Sequence, residues 1–408
     1  MLRPILIFAF GKTNISFGRF FVILCKISKN TLTQQMLYIH IPFCKSRCVY
    51  CSFFSSTYLE LKKQYVSSLC REIETRKDYL DTNVLKSVYF GGGTPSLLDF
   101  DDLSRIYDSI NKCFTLAPGA EVTIECNADD VDSDFVKTIR CFPFNRVSVG
   151  IQSFDDRELR FLNRRHDSRQ AKDSVKMLQD NGFSNISIDL MYSLPNQTAE
   201  SWSRTISEAL SLDIQHISAY SLMYEKGTKL RSMLESGQIT AVAEEDSLLF
   251  FKILCNELLN KGFEHYEISN FALPDFYAVH NSGYWNGEKY IGVGASAHSY
   301  NGVSRQWNVA DIAAYCQAVD RGETYFEQEQ LTATDRYNEF MFLSLRTAKG
   351  IDLCRLERLF GVGMLKYCMA NADKFLKNNL LTIVDNRMCL TEEGIFVSDG
   401  IMSSLIKL

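Results

Sequence analysis

The sequence predicts an α/β protein: a partial (β/α)6 TIM-like barrel followed by a small helical domain of winged-helix type. Three observations predict it. Short apolar runs alternate with amphipathic helical patterns from residue 37 to about 262, which implies a parallel sheet with right-handed crossovers. Six such units can be counted, too few to close an eight-fold barrel. After about residue 325 the texture changes to short helical patterns around one extended pair.

Leu37 to Phe43 reads as the first strand and Tyr58 to Leu80 as a helix, with Leu61, Tyr65, Leu69 and Ile73 on one face. Ser87 to Phe90 is a strand ending in a glycine-rich turn. Asp101 to Phe114 is a helix with acidic residues in its first turn. Glu121 to Cys126, Arg146 to Gln152, Asn185 to Met191 and His216 to Leu222 complete the six strands. Helices are expected over Asp132 to Arg140, Asp155 to Leu162, Arg169 to Asn181, Ala199 to Leu210 and Ala243 to Lys261. Gly182 and Gly262 stop two of them, as C-terminal caps do. Beyond, helical patterns at Asp335 to Ala348, Leu353 to Phe360 and Met364 to Asn378 precede extended stretches at Leu381 to Ile383 and Met388 to Leu390. Glu393 to Leu405 closes the chain. The expected division is a basic-apolar leader over 1–35, the barrel over 36–265, a connecting segment over 266–325 and a C-terminal domain over 326–408.

Composition narrows the function classes. The 408 residues are 46% apolar and 23% charged, ordinary globular values that exclude disorder and fibrous repeats. No uncharged apolar run approaches the roughly 18–20 residues that span a bilayer. The formal net charge of −5 argues against non-specific nucleic-acid binding. Residues 1–35 carry Arg3, Lys12, Arg19, Lys26 and Lys29 and no acid, leaving 39 − 49 = −10 for the remainder. That leader reads as a non-native extension before Met36, with a membrane-surface anchor or targeting segment as alternatives. Thirteen cysteines scattered along so long a chain point to a reduced, cytoplasmic compartment rather than a disulfide framework.

Cys44-Lys-Ser-Arg-Cys48-Val-Tyr-Cys51 is a C-x3-C-x2-C motif just after the first strand. Structural zinc would want four ligands, usually from paired C-x2-C knuckles. No second knuckle is near, and His40, a conceivable fourth ligand, sits on the preceding strand. Three cysteines on a [4Fe–4S] cluster would leave one iron open for binding. The run Gly91-Gly92-Gly93-Thr94-Pro95 follows the second strand, where glycines permit close backbone approach to a ligand and offer N–H groups. Glu125, Gln152 and Asp189 fall at or near the ends of strands three to five, and Arg164 follows strand four. Taken singly, these are caps or surface charges; together they line one rim.

The cysteine motif and its place after the first strand resemble the radical S-adenosylmethionine superfamily. The resemblance implies that the open iron binds the amino and carboxylate groups of the methionine moiety. Electron transfer from the cluster then gives a 5′-deoxyadenosyl radical. Residues 36–400 resemble the anaerobic coproporphyrinogen dehydrogenase family, whose members bind two S-adenosylmethionine molecules. Carried over by position, Tyr38, Gly92 and Glu125 belong to the first site. Tyr50, Gly93, Thr94, Gln152, Arg164 and Asp189 belong to the second.

Two departures bear on the subfamily. The decarboxylating enzymes carry a fourth cysteine two residues after the third, where this chain has Phe53. It also carries His280-Asn281-Ser282-Gly283-Tyr284-Trp285, an H-N-x-x-Y-W pattern similar to the signature of the HemW group, proposed haem chaperones. The opening Ile39-His40-Ile41-Pro42-Phe43-Cys44 looks like that group too. The resemblance implies haem with His280 on its iron, Tyr284 and Trp285 offering flat faces and polar tips. The alternative is a buried aromatic turn with a hydrogen-bonded histidine. His298 is a second candidate ligand or supporting group, and His216 reads as structural. Implied partners are haem, a haem-accepting protein and an electron donor such as flavodoxin or ferredoxin. Any membrane contact is peripheral, and the chain acts as a monomer or homodimer. The competing function is radical decarboxylation of coproporphyrinogen III.

Overall fold

The computed structural model describes residues 34–407; the basic leader expected over 1–35 lies almost wholly outside them. Six parallel strands follow one another across the sheet in sequence order. They are β1 (Gln35–Ile41), β2 (Val84–Gly92), β3 (Thr115–Asn127), β4 (Arg146–Gln152), β5 (Ile186–Tyr192) and β6 (His216–Ser221). Every residue of β4 is buried, as expected of a parallel strand covered on both faces.

The crossovers carry α1 (Lys62–Thr75), α2 (Phe100–Cys113), α3 (Ser133–Arg140), α4 (Asp156–Phe161), α5 (Ser168–Asp180), α6 (Ala199–Leu210), α7 (Lys229–Glu235) and α8 (Glu244–Asn260). Local chemistry starts them: Asp99, Asp167 and Thr198 form capping boxes, and Asp132 receives the N–H groups of Asp134 and Phe135. Fully buried Trp202 ties α6 to α8 through Nε1–H to the Phe250 carbonyl at 2.9 Å. The short α7 is an element the periodicity did not reveal.

The sheet is wider than six strands, and the segment expected only to connect is woven into it. β7 (Glu264–Glu267) and β8 (Asn270–Ala272) extend it antiparallel beyond β6. After α9 (Val279–Trp285), β9 (Tyr290–Val293) lies parallel to β1 on its free side. β10 (His298–Tyr300), β11 (Ser304–Asn308) and β12 (Phe326–Gln330) then continue antiparallel to the far edge. These strands are three to five residues long, too short for a period-2 pattern to stand out.

The C-terminal unit has its own core, including Tyr337, Met341, Leu356, Met388 and Met402. It contains α10 (Ala333–Leu345), β13 (Ile351–Asp352), α11 (Leu353–Lys377), β14 (Leu381–Val384), β15 (Arg387–Leu390), α12 (Glu392–Phe396) and α13 (Ser398–Leu405). The two helices expected on either side of residue 362 run together across a kink at Gly361, whose φ is +83°. β13, β15 and β14 form the wing. Arg346 docks this unit on the barrel, ion-paired to Glu267 at 3.4 Å and stacked over the Trp285 ring at 4.5 Å. No helix among the described residues is long and apolar enough to cross a membrane.

Candidate functional site

The cysteine loop leaves the carboxyl end of β1 and is fastened along its length. Cys44 N–H donates to the Ser56 carbonyl at 2.9 Å and Ser56 N–H to the Pro42 carbonyl at 2.7 Å. Asn163 Nδ2 reaches the Arg47 carbonyl at 2.8 Å, and Leu230 N–H reaches that of Val49 at 2.8 Å. Lys45 pairs with Asp130 at 2.7 Å. The half-buried thiols of Cys44, Cys48 and Cys51 line one pocket of about 360 Å³ at the strand ends.

Two donors point at the sulfurs: Thr94 Oγ1 lies 3.4 Å from Cys44 Sγ and Arg164 Nη1 lies 3.3 Å from Cys48 Sγ. Burial pushes the Cys51 thiol up, and the neighbouring Cys48 and Cys44 add to it. Crowded thiols of this kind suit a cationic centre that takes them as thiolates. Among the described residues no three His, Cys, Asp or Glu groups gather about a single-ion site. His40 does not join them, because Nδ1 bonds Tyr38 Oη at 2.9 Å and Nε2 the Phe54 carbonyl at 3.1 Å. Three thiols spread around a pocket, with no fourth ligand, fit a multi-iron cluster having one open iron.

Tyr50, Gly92, Gly93, Thr94, Glu125, Gln152, Arg164 and Asp189 share that pocket with the thiols. Gln152 reaches it through a register shift at the end of β4 and a φ of +72°, strain that re-aims a side chain. Arg164 is a hub, donating through Nη2 to Asn127 Oδ1 at 2.7 Å and the Gly150 carbonyl at 2.5 Å. Burial raises Glu125 to about 7 despite bonds from Tyr89 Oη (2.6 Å) and Gly92 N–H (3.1 Å). Asp189 is raised to about 6, chiefly by burial, with Arg146 and Arg164 opposing. Two carboxyls that titrate near neutrality in a cleft mark a functional site.

The glycine run works differently from expectation. Gly92 N–H is already given to Glu125 and Gly93 N–H to the Ile41 carbonyl at 2.9 Å, so neither is free for a ligand. What demands glycine is the barrel itself. A Cβ on Gly92 would sit 2.6 Å from the His40 ring, and one on Gly93 2.7 Å from the Phe43 carbonyl.

Tyr38 is not in the thiol pocket. It lines a second, larger cavity of about 990 Å³ between the β9–β11 edge and the C-terminal unit. Tyr284 and Trp285 line that cavity too, but His280 does not. His280 is fully buried: Nδ1 bonds Ser87 Oγ at 2.9 Å and Nε2 bonds Tyr284 Oη at 2.9 Å. Burial, with Lys86 and Arg146, lowers its pKa to about 3. Both ring nitrogens of His280 are thus engaged by hydroxyls, one of them within the aromatic turn. Glu121 caps this turn by accepting from Val279 N–H and His280 N–H at 2.8 and 2.9 Å. Gly283 lies against the end of the Met36 side chain, which a Cβ there would displace. The motif therefore holds Tyr284 and Trp285 in the cavity wall.

Sequence reasoning missed Asn127, Ser148 and Tyr220 in the thiol pocket. Asn127 closes β3 just after Glu125, so extending the strand-end criterion by two residues would have found it. Of the ten cysteines outside the motif, Cys126, Cys255, Cys316 and Cys368 are buried, Cys70, Cys113 and Cys389 are half-buried, and Cys141 and Cys354 are exposed. Cys25 lies outside the described residues.

Comparison with known proteins follows this geometry. The Radical SAM superfamily profile matches residues 38–209, and the HemN C-terminal domain profile matches 331–397. A protein named Heme chaperone HemW from Mycobacterium tuberculosis (strain ATCC 25618 / H37Rv) is 33% identical, over 91% of this chain and 94% of its own. The protein of that name from Escherichia coli (strain K12) is 33% identical, over 89% and 96%. Among solved structures, coproporphyrinogen III oxidase (HemN) from Escherichia coli superposes with a TM-score of 0.80, covering 94% of this chain and 93% of that one. At 22% identity that likeness is one of fold.

Proposed function

The chain belongs to the HemW family within the radical S-adenosylmethionine superfamily, and from that membership we propose that it is a haem chaperone. It carries a [4Fe–4S] cluster and S-adenosylmethionine at the strand ends, takes up haem and passes it to an acceptor protein. When bound, the cluster supplies an electron source and an open iron for the methionine amino and carboxylate groups.

This chain's residues have the following parts. Cys44, Cys48 and Cys51 hold the cluster, while Thr94 and Arg164 donate to two of the sulfurs. Glu125 and Asp189 offer carboxyls to the amino and ribose hydroxyl groups of S-adenosylmethionine. Gln152 and Tyr50 flank them, and the Gly92–Gly93 turn keeps β2 close to His40. The observation that carries the chaperone reading is the pairing of two cavities through one residue. Phe53, where the decarboxylating enzymes carry a further cysteine, lines both the thiol pocket and the larger aromatic cavity. A cargo in the larger cavity is then adjacent to the cluster without occupying its pocket.

The acceptor is a haem-dependent protein, and the reductant is a low-potential donor of the flavodoxin or ferredoxin kind. The protein works in the cytoplasm, as a monomer or homodimer, with membrane contact only peripheral. One pair of anaerobic experiments tests the reading on the reconstituted full chain. Haem is added to one sample; coproporphyrinogen III, S-adenosylmethionine and a reductant are added to the other. Stoichiometric haem uptake without protoporphyrinogen formation is expected. Sustained conversion of coproporphyrinogen would overturn it in favour of the dehydrogenase.

A further inference from the structure

Four of the loops that form the thiol pocket meet at one carboxylate outside its lining. Asp130 ends the single turn Ala128–Asp130 that follows β3, and it is not among the residues that face the pocket. Its side chain is 2% exposed. It accepts from Lys45 Nζ at 2.7 Å, from Arg165 Nη2 at 3.0 Å and from Ser96 Oγ at 3.0 Å. Burial opposes its charge, yet Lys45, Ser96 and Arg165 together hold its pKa below the ordinary carboxylate value. At neutral pH it is therefore an anion with all three donors in place.

Each of the three donors adjoins a group that is, or touches, a thiol. Lys45 follows Cys44 in the chain. Ser96 lies two residues after Thr94, whose Oγ1 faces Cys44 Sγ at 3.4 Å. Arg165 follows Arg164, whose Nη1 faces Cys48 Sγ at 3.3 Å. On the pocket side Asn127 closes the same circuit. Its Nδ2 donates to Thr94 Oγ1 at 3.2 Å, and its Oδ1 accepts from Arg164 Nη2 at 2.7 Å.

The cysteine loop depends on this support. Its main chain is fastened at Cys44, Arg47 and Val49. Lys45 and Ser46, between the first two cysteines, make no main-chain to main-chain hydrogen bond among the described residues. The Lys45–Asp130 pair is what holds that stretch. The bonds from Ser96 and Arg165 then set where Thr94 and Arg164 stand relative to the sulfurs. Partners that orient the ligands of a metal from outside typically change its affinity about 10–100-fold.

We infer that Asp130 is a positioning residue for the cluster, holding the cysteine loop through Lys45 and the two sulfur-directed donors through Ser96 and Arg165. This inference rests on the cluster reading and adds to it a residue that touches no thiol. The full chain is reconstituted anaerobically, and iron loss to excess EDTA is followed by the fading of its visible absorbance. The reduced protein is recorded by low-temperature electron paramagnetic resonance, and the cluster-free chain is unfolded in urea. Lys45→Met cuts one tether and leaves Asp130 bonded to Arg165 and Ser96. It should lose iron about tenfold faster than wild type or more, with an altered resonance line shape. Its cluster-free urea midpoint should stay at the wild-type value, because Lys45 is 45% exposed and such an ion pair adds little to folding stability. Lys45→Arg should restore both iron retention and line shape. Asp130→Asn weakens all three bonds and should lose iron faster still. If wild type takes up no iron and sulfide, the cluster reading itself falls. If wild type forms its cluster and Lys45→Met matches it in iron loss and spectrum, this inference alone is overturned. Faster iron loss together with a lowered cluster-free midpoint would also overturn it, in favour of a purely structural role.

Discussion

Replacing Arg76 with methionine should destabilise the far edge of the sheet by about 3–5 kcal/mol, the cost of stranding one member of a buried ion pair. Glu72 is fully buried and accepts from Arg76 Nη1 (3.2 Å), Gly294 N–H (2.7 Å), Asn308 Nδ2 (2.8 Å) and Tyr315 Oη (2.6 Å). Arg76, the C-cap residue of α1, donates onward to the Gly292 carbonyl at 2.9 Å, and to Ser299 Oγ and Gln306 Oε1 at 3.0 Å each. One guanidinium thus joins α1 to β9, β10 and β11. Methionine keeps the apolar stem but leaves the Glu72 carboxylate with neutral donors only. It also leaves Gln306 Oε1 without that donor. With an m-value of about 3 kcal/mol per molar urea, the barrel transition should move down by about 1–2 M. The double variant Glu72→Gln/Arg76→Met removes the stranded charge and should recover part of the loss, a coupling of at least about 1 kcal/mol. A midpoint for Arg76→Met indistinguishable from wild type would refute the idea that this pair fastens the edge.

Three further outcomes are expected. Cys48→Ser should abolish the visible iron–sulfur absorbance after anaerobic reconstitution; full retention of iron and sulfide would remove Cys48 from the cluster. Glu125 is raised from 4.5 to about 7 by burial, so the folded protein resists its ionisation. The penalty is absent below pH about 4.5, grows between there and 7, and reaches at most about 3 kcal/mol above 7. Stability of the cluster-free wild type should therefore fall relative to Glu125→Gln across pH 4.5–7, as read from urea midpoints; a constant difference would contradict this. Gly292→Ala places a Cβ 2.0 Å from the His298 carbonyl oxygen, which requires β9 and β10 to separate. It should lower the melting temperature by several degrees, whereas Gly237→Ala, with φ of +71° and open space around it, should cost only its local backbone strain.

The parallel core was legible because its strands are continuous apolar runs and its helices begin at side-chain caps. Ala199–Leu210 and Arg146–Gln152 match the sequence reading end for end. The thiol pocket was legible for a related reason, since chemistry placed at the carboxyl ends of parallel strands converges on one rim. The edge strands β9 to β11 were not legible, being three to five residues long and held by tertiary bonds from Arg76 and Ser299. The surroundings of His280 were also hidden. A motif gives residue types and spacing, but only the fold shows that Ser87, 193 positions earlier, takes one ring nitrogen.

The position of β1 between β2 and β9 governs the order in which the barrel can be completed during synthesis. Met36 pairs with Tyr290, so the outer edge of the strand leading to the cysteine loop waits for a segment made roughly 250 residues later. At about 5–20 residues per second, that edge stands bare for roughly 12–50 s on the ribosome. Met36, Leu37 and Ile39 on that strand are wholly buried in the finished protein. An unpaired strand edge is a template for pairing with another chain, and the thiol loop beside that edge has the same interval in which to receive its iron.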